Sequence, residues 1–251
     1  LIGPVAVRDA RAGDTLEVRI DEVRIGGWGI TDAGGWHTPL NERLGSDEGE
    51  TATLVWELDA EAGVGRDQAG RAVTLGPFLG VIGMPPAEPG VHSTGPPRAC
   101  GGNIDCKELV AGTTLFLPIP VDGALLSAGD GHAAQGDGEV SQLAIEAPVD
   151  RARLTLTVLG DRPLTAPIAW TPEAWLTFGF DDDLDEAAAI AIDGMLDLMG
   201  REHGLGRREA LAYASVVVDL RVTQMVNGAR GIHARIAHDA LRFRAAASES
   251  V

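Results

Sequence analysis

Along the first 160 residues, short stretches alternate apolar and polar positions with the two-residue period of half-buried strands. Val5 and Val7, then Leu16, Val18 and Ile20, flank Ala12-Gly13-Asp14, and this spacing predicts a hairpin-like pair within residues 1–25. Further strands are expected at 51–58, 72–75, 78–83, 115–119, 124–126, 140–146 and 152–158. Residues 26–50, with Gly26-Gly27-Trp28 and Gly34-Gly35-Trp36-His37, read as a long loop. Turn signals recur roughly every 8–12 residues, which is the rhythm of a β-sandwich or barrel.

The period changes after Phe180. Leu184, Ala187, Ala188, Ala191, Ile192, Met195, Leu198 and Met199 form a stripe at helical spacing. Asp183 is placed to cap the helix, with Glu186 three residues on, and Gly204 is placed to end it. A second helix is expected over 207–219, followed by a hairpin over 221–237 that turns at Asn227-Gly228. The fold class is therefore mainly β, a sandwich- or barrel-like front with an α+β C-terminal portion of two helices and a hairpin. The division expected is residues 1–160 and 161–251, the second packed on the first and not independent of it.

Composition supports many tight turns, since 33 glycines and 14 prolines are scattered among the apolar runs of a 251-residue chain. A formal charge of −17 repels polyanions, so nucleic acid and anionic membranes are excluded as partners. No apolar run reaches the ~18 residues that span a bilayer, and no secretory signal pattern is present. Cys100 and Cys106 are too few for a disulfide framework, and a cytoplasmic protein with reduced thiols is expected. The chain opens at Leu1, directly on strand-like residues, so natural residues are expected to precede it.

Candidate chemistry concentrates in two segments. GDGHAAQGDGE (129–139) places Asp130, His132, Asp137 and Glu139 among four glycines. Glycines let a ligand approach the backbone, a histidine with carboxylates can hold a divalent ion, and a remaining carboxylate can serve as general base. Taken alone, the segment also reads as an acidic, solvated loop of turns. The other segment, Gly101-Gly102-Asn103-Ile104-Asp105, offers Asp105 as a ligand and Asn103 as a contact for a substrate carbonyl, or is simply an Asx-turn. Cys106-Lys107-Glu108 is no catalytic unit, because adjacent residues of a strand face opposite ways. No G-x-S-x-G occurs. The remaining histidines read as structural or surface residues, and Trp170 and Trp175 as core.

The stretches 3–20, 90–140, 175–188 and 219–236, with GGNID followed by GDGHAAQGDGE, resemble the acetamidase/formamidase family. The resemblance implies hydrolysis of formamide or acetamide to a carboxylate and ammonia. It also implies a β-dominated fold, homo-oligomers and a divalent metal, zinc first and calcium second. By position it points to Asp105, Asp130 and His132 as metal ligands and to Glu139, with His132, as the catalytic pair acting on water. Asn103 and Gln135 are expected to hold the amide. Family members carry a further N-terminal segment, and residues 26–50 do not align with them. Two other readings stay open: a metal-dependent hydrolase of a different or cyclic amide, and a non-enzymatic β-rich binding module stabilised by calcium.

Overall fold

A computed structural model describes residues 1–242, so the 243–251 end of the expected C-terminal portion lies outside the described residues. In chain order the elements are β1 (Ile2–Val5), β2 (Thr15–Ile25), β3 (Trp28–Ala33), α1 (Pro39–Leu44), β4 (Ala52–Asp59), β5 (Val64–Asp67), β6 (Ala72–Thr74) and β7 (Phe78–Gly83). There follow β8 (Gly101–Asn103), β9 (Thr114–Pro118), β10 (Leu126–His132), β11 (Val149–Leu159), β12 (Ile168–Trp170) and β13 (Ala174–Asp181). The chain continues through α2 (Leu184–His203), α3 (Arg207–Val217), β14 (Val218–Asn227) and β15 (Ala229–Ala237).

Three sheets result. A seven-stranded sheet runs in the order β11-β2-β9-β12-β13-β15-β14, and two four-stranded sheets run β1-β10-β7-β8 and β3-β4-β5-β6. The large sheet takes strands from both sides of residue 160 and is covered on both faces. On one face Leu16, Val18, Ile20, Leu115, Leu117, Leu176 and Phe178 pack against Leu79, Ile82 and Leu126 of the β1-β10-β7-β8 sheet. On the other, Ala187, Ala191, Met195 and Met199 of α2 and Ala210 of α3 meet Ile232, Ala234 and Ile236 of β15. The alternation along β13 explains this, since neighbouring residues of a strand face opposite layers: Leu176 and Phe178 enter the first core, while Thr177 between them donates its hydroxyl to Ala191 O at 2.7 Å. The mainly β class with helices on the C-terminal part is thus the observed one.

Asp183 caps α2, its carboxylate accepting from the amides of Asp185 and Glu186, and Gly204 closes it with φ 67°. Asn227 pairs with Ala229 across Gly228, which turns the C-terminal hairpin. Several local expectations fail. Ala12-Gly13-Asp14 is a turn, with Asp14 N donating to Arg11 O, but it does not make a hairpin: β1 pairs with β10, whereas β2 pairs with β11 and β9. Residues 26–50 hold β3 and α1 instead of one loop, and β5 was not expected at all. Residues 140–146 form no strand, while β10 runs on to His132, so the Gly/Asp segment begins inside a strand. Trp170 is partly exposed and stacks on His238, not in a core. Among the described residues no helix is long and apolar enough to cross a membrane.

Candidate functional site

β7 and β10 carry the site between them. His132 lies opposite Phe78 in this antiparallel pair, and the Phe78 ring meets the imidazole edge-on at 5.1 Å. Asp130, two residues before His132, projects from the same face of β10. Gly80 of β7 sits on that face too. A methyl group built on it would strike Asp105 Oδ1 and would lie 2.7 Å from Asp130 Oδ2 and 3.0 Å from His132 Cε1. The missing side chain of Gly80 is the space into which these groups converge.

The other members arrive from loops. Asp105 follows β8 directly, its amide donating to Gly80 O at 3.2 Å. Glu139 hangs from the segment after β10, which the C-terminal hairpin fastens: Gly138 N donates to Thr223 O, and Met225 N to Gly138 O. Glu146 reaches His132 through an isolated backbone bridge between the two residues. Asp105, Asp130 and Glu139 all have positive φ, at 50°, 64° and 46°. Such backbone is uncommon outside glycine and clusters where function imposes it.

His132 is the hub. Its Nε2 lies 3.5 Å from Asp130 Oδ2 and 3.3 Å from Glu146 Oε1, while Nδ1 lies 3.8 Å from Asp105 Oδ1. The ligand atoms of Asp105, His132 and Glu139 lie within 4.8 Å of one another, as do those of Asp130, His132 and Glu146. Asp105, His132 and Glu139 are buried, whereas Asp130 is exposed and Glu146 half-buried. Asn227 Nδ2 donates to Asp105 Oδ2 and to Glu139 Oε2, tying the two buried carboxylates together.

Burial and mutual repulsion dominate the electrostatics. Burial raises the Asp105 carboxyl well above the ordinary range, the Glu139 and Asp130 charges raise it further, and His132 opposes both. Burial likewise raises Glu139, with His132 opposing and Glu146 and Asp130 adding to the rise. For His132 burial favours the neutral ring, but the Glu146 hydrogen bond and the charges of Glu146, Asp130 and Asp105 overcome it and raise the pKa to about 9. A site that crowds four carboxylates around one imidazole lacks positive charge. Asp105 Oδ1, moreover, is buried with no hydrogen-bond partner among the described residues. One imidazole, several carboxylates and an unpartnered buried oxygen fit a divalent cation.

Asp105, Asp130, His132, Gln135 and Glu139 are therefore brought together. Gln135 Oε1 accepts from His132 Nδ1 at 2.9 Å, and Gln135 Nε2 donates to Asp105 O at 2.7 Å. Asn103 is not part of the cluster. It pairs with Val81, not Gly80, so it shares the neighbouring face of the sheet, and its Oδ1 is buried without a partner among the described residues. Asp137 forms an ion pair with Lys107 at 3.1 Å, away from His132. Two further members carry no local sequence signal for this role: Glu146 lies in the 140–146 segment expected as a strand, and Asn227 at the expected hairpin turn. Cys100 and Cys106 are free and buried, and burial pushes the Cys106 thiol up, so neither serves as a nucleophile.

The profile of the Acetamidase/Formamidase family matches residues 87–162, the stretch that carries Asp105, His132, Glu139 and Glu146. The acetamidase of Mycolicibacterium smegmatis is 52% identical over 48 residues, 19% of this chain and 12% of that protein. The crystal structure of an acetamidase from Bacillus halodurans superposes with a TM-score of 0.85 at 32% identity, covering 93% of this chain and 77% of that one. The chain belongs to the acetamidase/formamidase family. The crystal structure of a recombinant predicted acetamidase/formamidase from the thermophile Thermoanaerobacter tengcongensis is similar at 27% identity and a TM-score of 0.83, covering 96% of this chain and 79% of that one. The likeness to the Bacillus structure takes in 93% of this chain, while the segment matched in the Mycolicibacterium protein spans 12% of that protein's length.

Proposed function

We propose that this family member hydrolyses a short aliphatic amide, formamide or acetamide at its smallest, to a carboxylate and ammonia at the cluster around His132. The observation that carries the reading is the convergence of Asp105, His132 and Glu139, with Asp105 Oδ1 buried and unpartnered among the described residues. In this reading His132, Asp130 and Asp105, joined by Glu146, hold a divalent metal, zinc before calcium. Such an ion supplies Lewis-acid polarisation of a carbonyl and acidifies water.

The residues do the rest. Glu139, the clustered carboxylate left outside the metal's own ligand set, takes the proton from the attacking water as oxygen bonds to the amide carbon. It then gives that proton to the amide nitrogen as the carbon–nitrogen bond breaks, so ammonia leaves and the acid remains. Asn227 holds Glu139 and Asp105 in register for the transfer. Gln135, whose amide is engaged at both ends by protein groups, is assigned to orient His132 instead of binding substrate. Asn103 takes no part. The protein is further proposed to work as a homo-oligomer in the cytoplasm, on the strength of the family resemblance and its two unbridged thiols.

The test is ammonia release from formamide and acetamide by the as-purified protein, with elemental analysis of the same sample. His132→Ala and Glu139→Ala are each expected to lower kcat by 10²-fold or more. Ammonia release that survives both substitutions overturns the assignment.

A further inference from the structure

A groove of about 400 Å³ opens against the site from the side of the β3-β4-β5-β6 sheet. Gln135, Asp137 and Glu139 form its polar end, and Trp56, Val73, Leu143 and Ile145 are large apolar members of its wall, beside Thr31, Thr74 and Ser141. Most of the side-chain donors of that wall are engaged within the protein, Ser141 Oγ donating to Leu143 O at 3.1 Å. Trp56 Nε1 donates to Thr31 Oγ1 at 3.1 Å, and Thr31 Oγ1 donates to Ala144 O at 2.6 Å. Asp137, at the polar end, is held by Lys107. A ligand entering the groove therefore meets mainly carbon along its length and the Glu139 end of the site at one side. Trp56 and Ile145 are themselves fixed from behind by Ile25, Leu58 and Ala133, so the wall is part of a packed core.

We infer that this groove is an acyl subsite, and that the preferred substrates are linear primary amides whose acyl chain runs several carbons along Trp56, Val73, Leu143 and Ile145. The inference rests on the amide-hydrolase reading above. Two features of the groove support it. The groove is continuous with Glu139, the residue assigned to the proton transfer. Its volume also lies in the range of roughly 300–1,000 Å³ typical of small-molecule sites, far beyond what acetamide fills. Of the four wall residues Val73 is an exposed one, on β6 at the edge of its sheet, so it can be changed without opening a core.

The experiment is a homologous series from acetamide through hexanamide, with kcat/KM read as ammonia release from wild type and Val73→Asp. Wild type is expected to gain roughly fourfold per added methylene, the transfer value of one buried CH₂. Val73→Asp is expected to cut the hexanamide-to-acetamide ratio about tenfold or more. Turnover of acetamide with no gain along the series overturns the subsite and leaves the hydrolase reading standing. An unchanged ratio in Val73→Asp also overturns it. If no amide is turned over, the hydrolase reading fails, and calorimetric binding of acetate through hexanoate to the purified protein decides the groove. Affinity that climbs with chain length and collapses in Val73→Asp supports it, and flat affinity overturns it.

Discussion

Gln135 fixes which nitrogen of a neutral His132 ring carries the proton. The Gln135 side-chain nitrogen is committed to a backbone carbonyl, Asp105 O, which can only accept. Its oxygen must then turn to His132 Nδ1 and accept a hydrogen from it at 2.9 Å. With Nδ1 protonated, the lone pair of a neutral ring is on Nε2, which points at Asp130 and Glu146. A ligating histidine held through its other ring nitrogen is a recurrent means of fixing tautomer and direction.

From this relationship, Gln135→Met should lower metal affinity by about 10- to 100-fold, the usual effect of losing an outer-shell partner. Chelator competition with zinc measures it. Unchanged affinity in the variant would show that Phe78 packing alone orients the ring.

Gly80→Ala should empty the site without unfolding the chain. The new methyl group competes for the same space as Asp105 Oδ1 and lies 2.7 Å from Asp130 Oδ2. One of these side chains must swing away, and a ligand set that loses a member loses its geometry. Expected is a metal stoichiometry near zero with the far-ultraviolet circular dichroism of wild type. A fully loaded Gly80→Ala protein would refute the reading of Gly80 as the floor of the site.

The helix from Leu184 to His203 was legible because everything that defines it is local: the apolar stripe, Asp183 at one end and Gly204 at the other. GGNID and GDGHAAQGDGE were legible as chemistry for the same reason, since unusual residues sit close together in the chain. What failed was long-range pairing. Leu16, Val18 and Ile20 alternate with polar residues whether the strand beside them is β1 or β11, and a two-residue period does not name its neighbour. Trp28–Ala33 was obscured by the glycines around it, although Gly29 is required there. A methyl group on Gly29 would press on Ile145 Cγ2 and Glu146 O. Asn103 looked like a site residue because it adjoins Asp105 in sequence, but its register opposite Val81 turns it to the neighbouring face. Glu146 and Asn227 come to His132 and Asp105 through a backbone bridge and a distant hairpin, neither of which leaves a mark on local sequence.

Metal binding should release protons and tighten as pH rises through neutrality. In the empty site burial and like charge hold Asp105 and Glu139 protonated well above the usual carboxyl range. A bound divalent cation reverses that balance and expels the protons. The folded, metal-free protein thus binds more protons than the unfolded chain above the normal carboxyl pKa, so its stability falls as pH rises from there. Calorimetry in two buffers of different ionisation enthalpy reads the proton release. Thermal unfolding after chelator treatment should show Tm falling between about pH 5 and 8, where ordinary carboxyls are already ionised. A pH-independent affinity with no proton release would contradict the charge balance described.

His233 should set part of the acid limit of the fold. It is wholly buried on β15, its Nδ1 shares a hydrogen bond of 2.8 Å with Thr223 Oγ1, and its ring lies 5.9 Å from that of Phe178. Burial is the main cause that depresses its pKa to about 4 from 6.5, with the Asp137 charge opposing and the Arg221, Lys107 and Arg235 charges assisting. In the window between these values the unfolded chain binds a proton that the folded one does not, so the contribution of His233 is complete above pH 6.5 and drains away as pH falls toward 4, opposite in sign to that of Asp105 and Glu139. The ceiling on this contribution is about 3 kcal/mol, from 1.36 kcal/mol per pKa unit. Denaturant unfolding of the wild type and of His233→Gln, from pH 7.5 down to pH 4, separates it from the carboxylates. His233→Gln should start less stable at neutral pH, because it disturbs a packed site, yet lose less stability on acidification. Parallel pH profiles for the two proteins would mean that His233 takes up its proton without unfolding the chain.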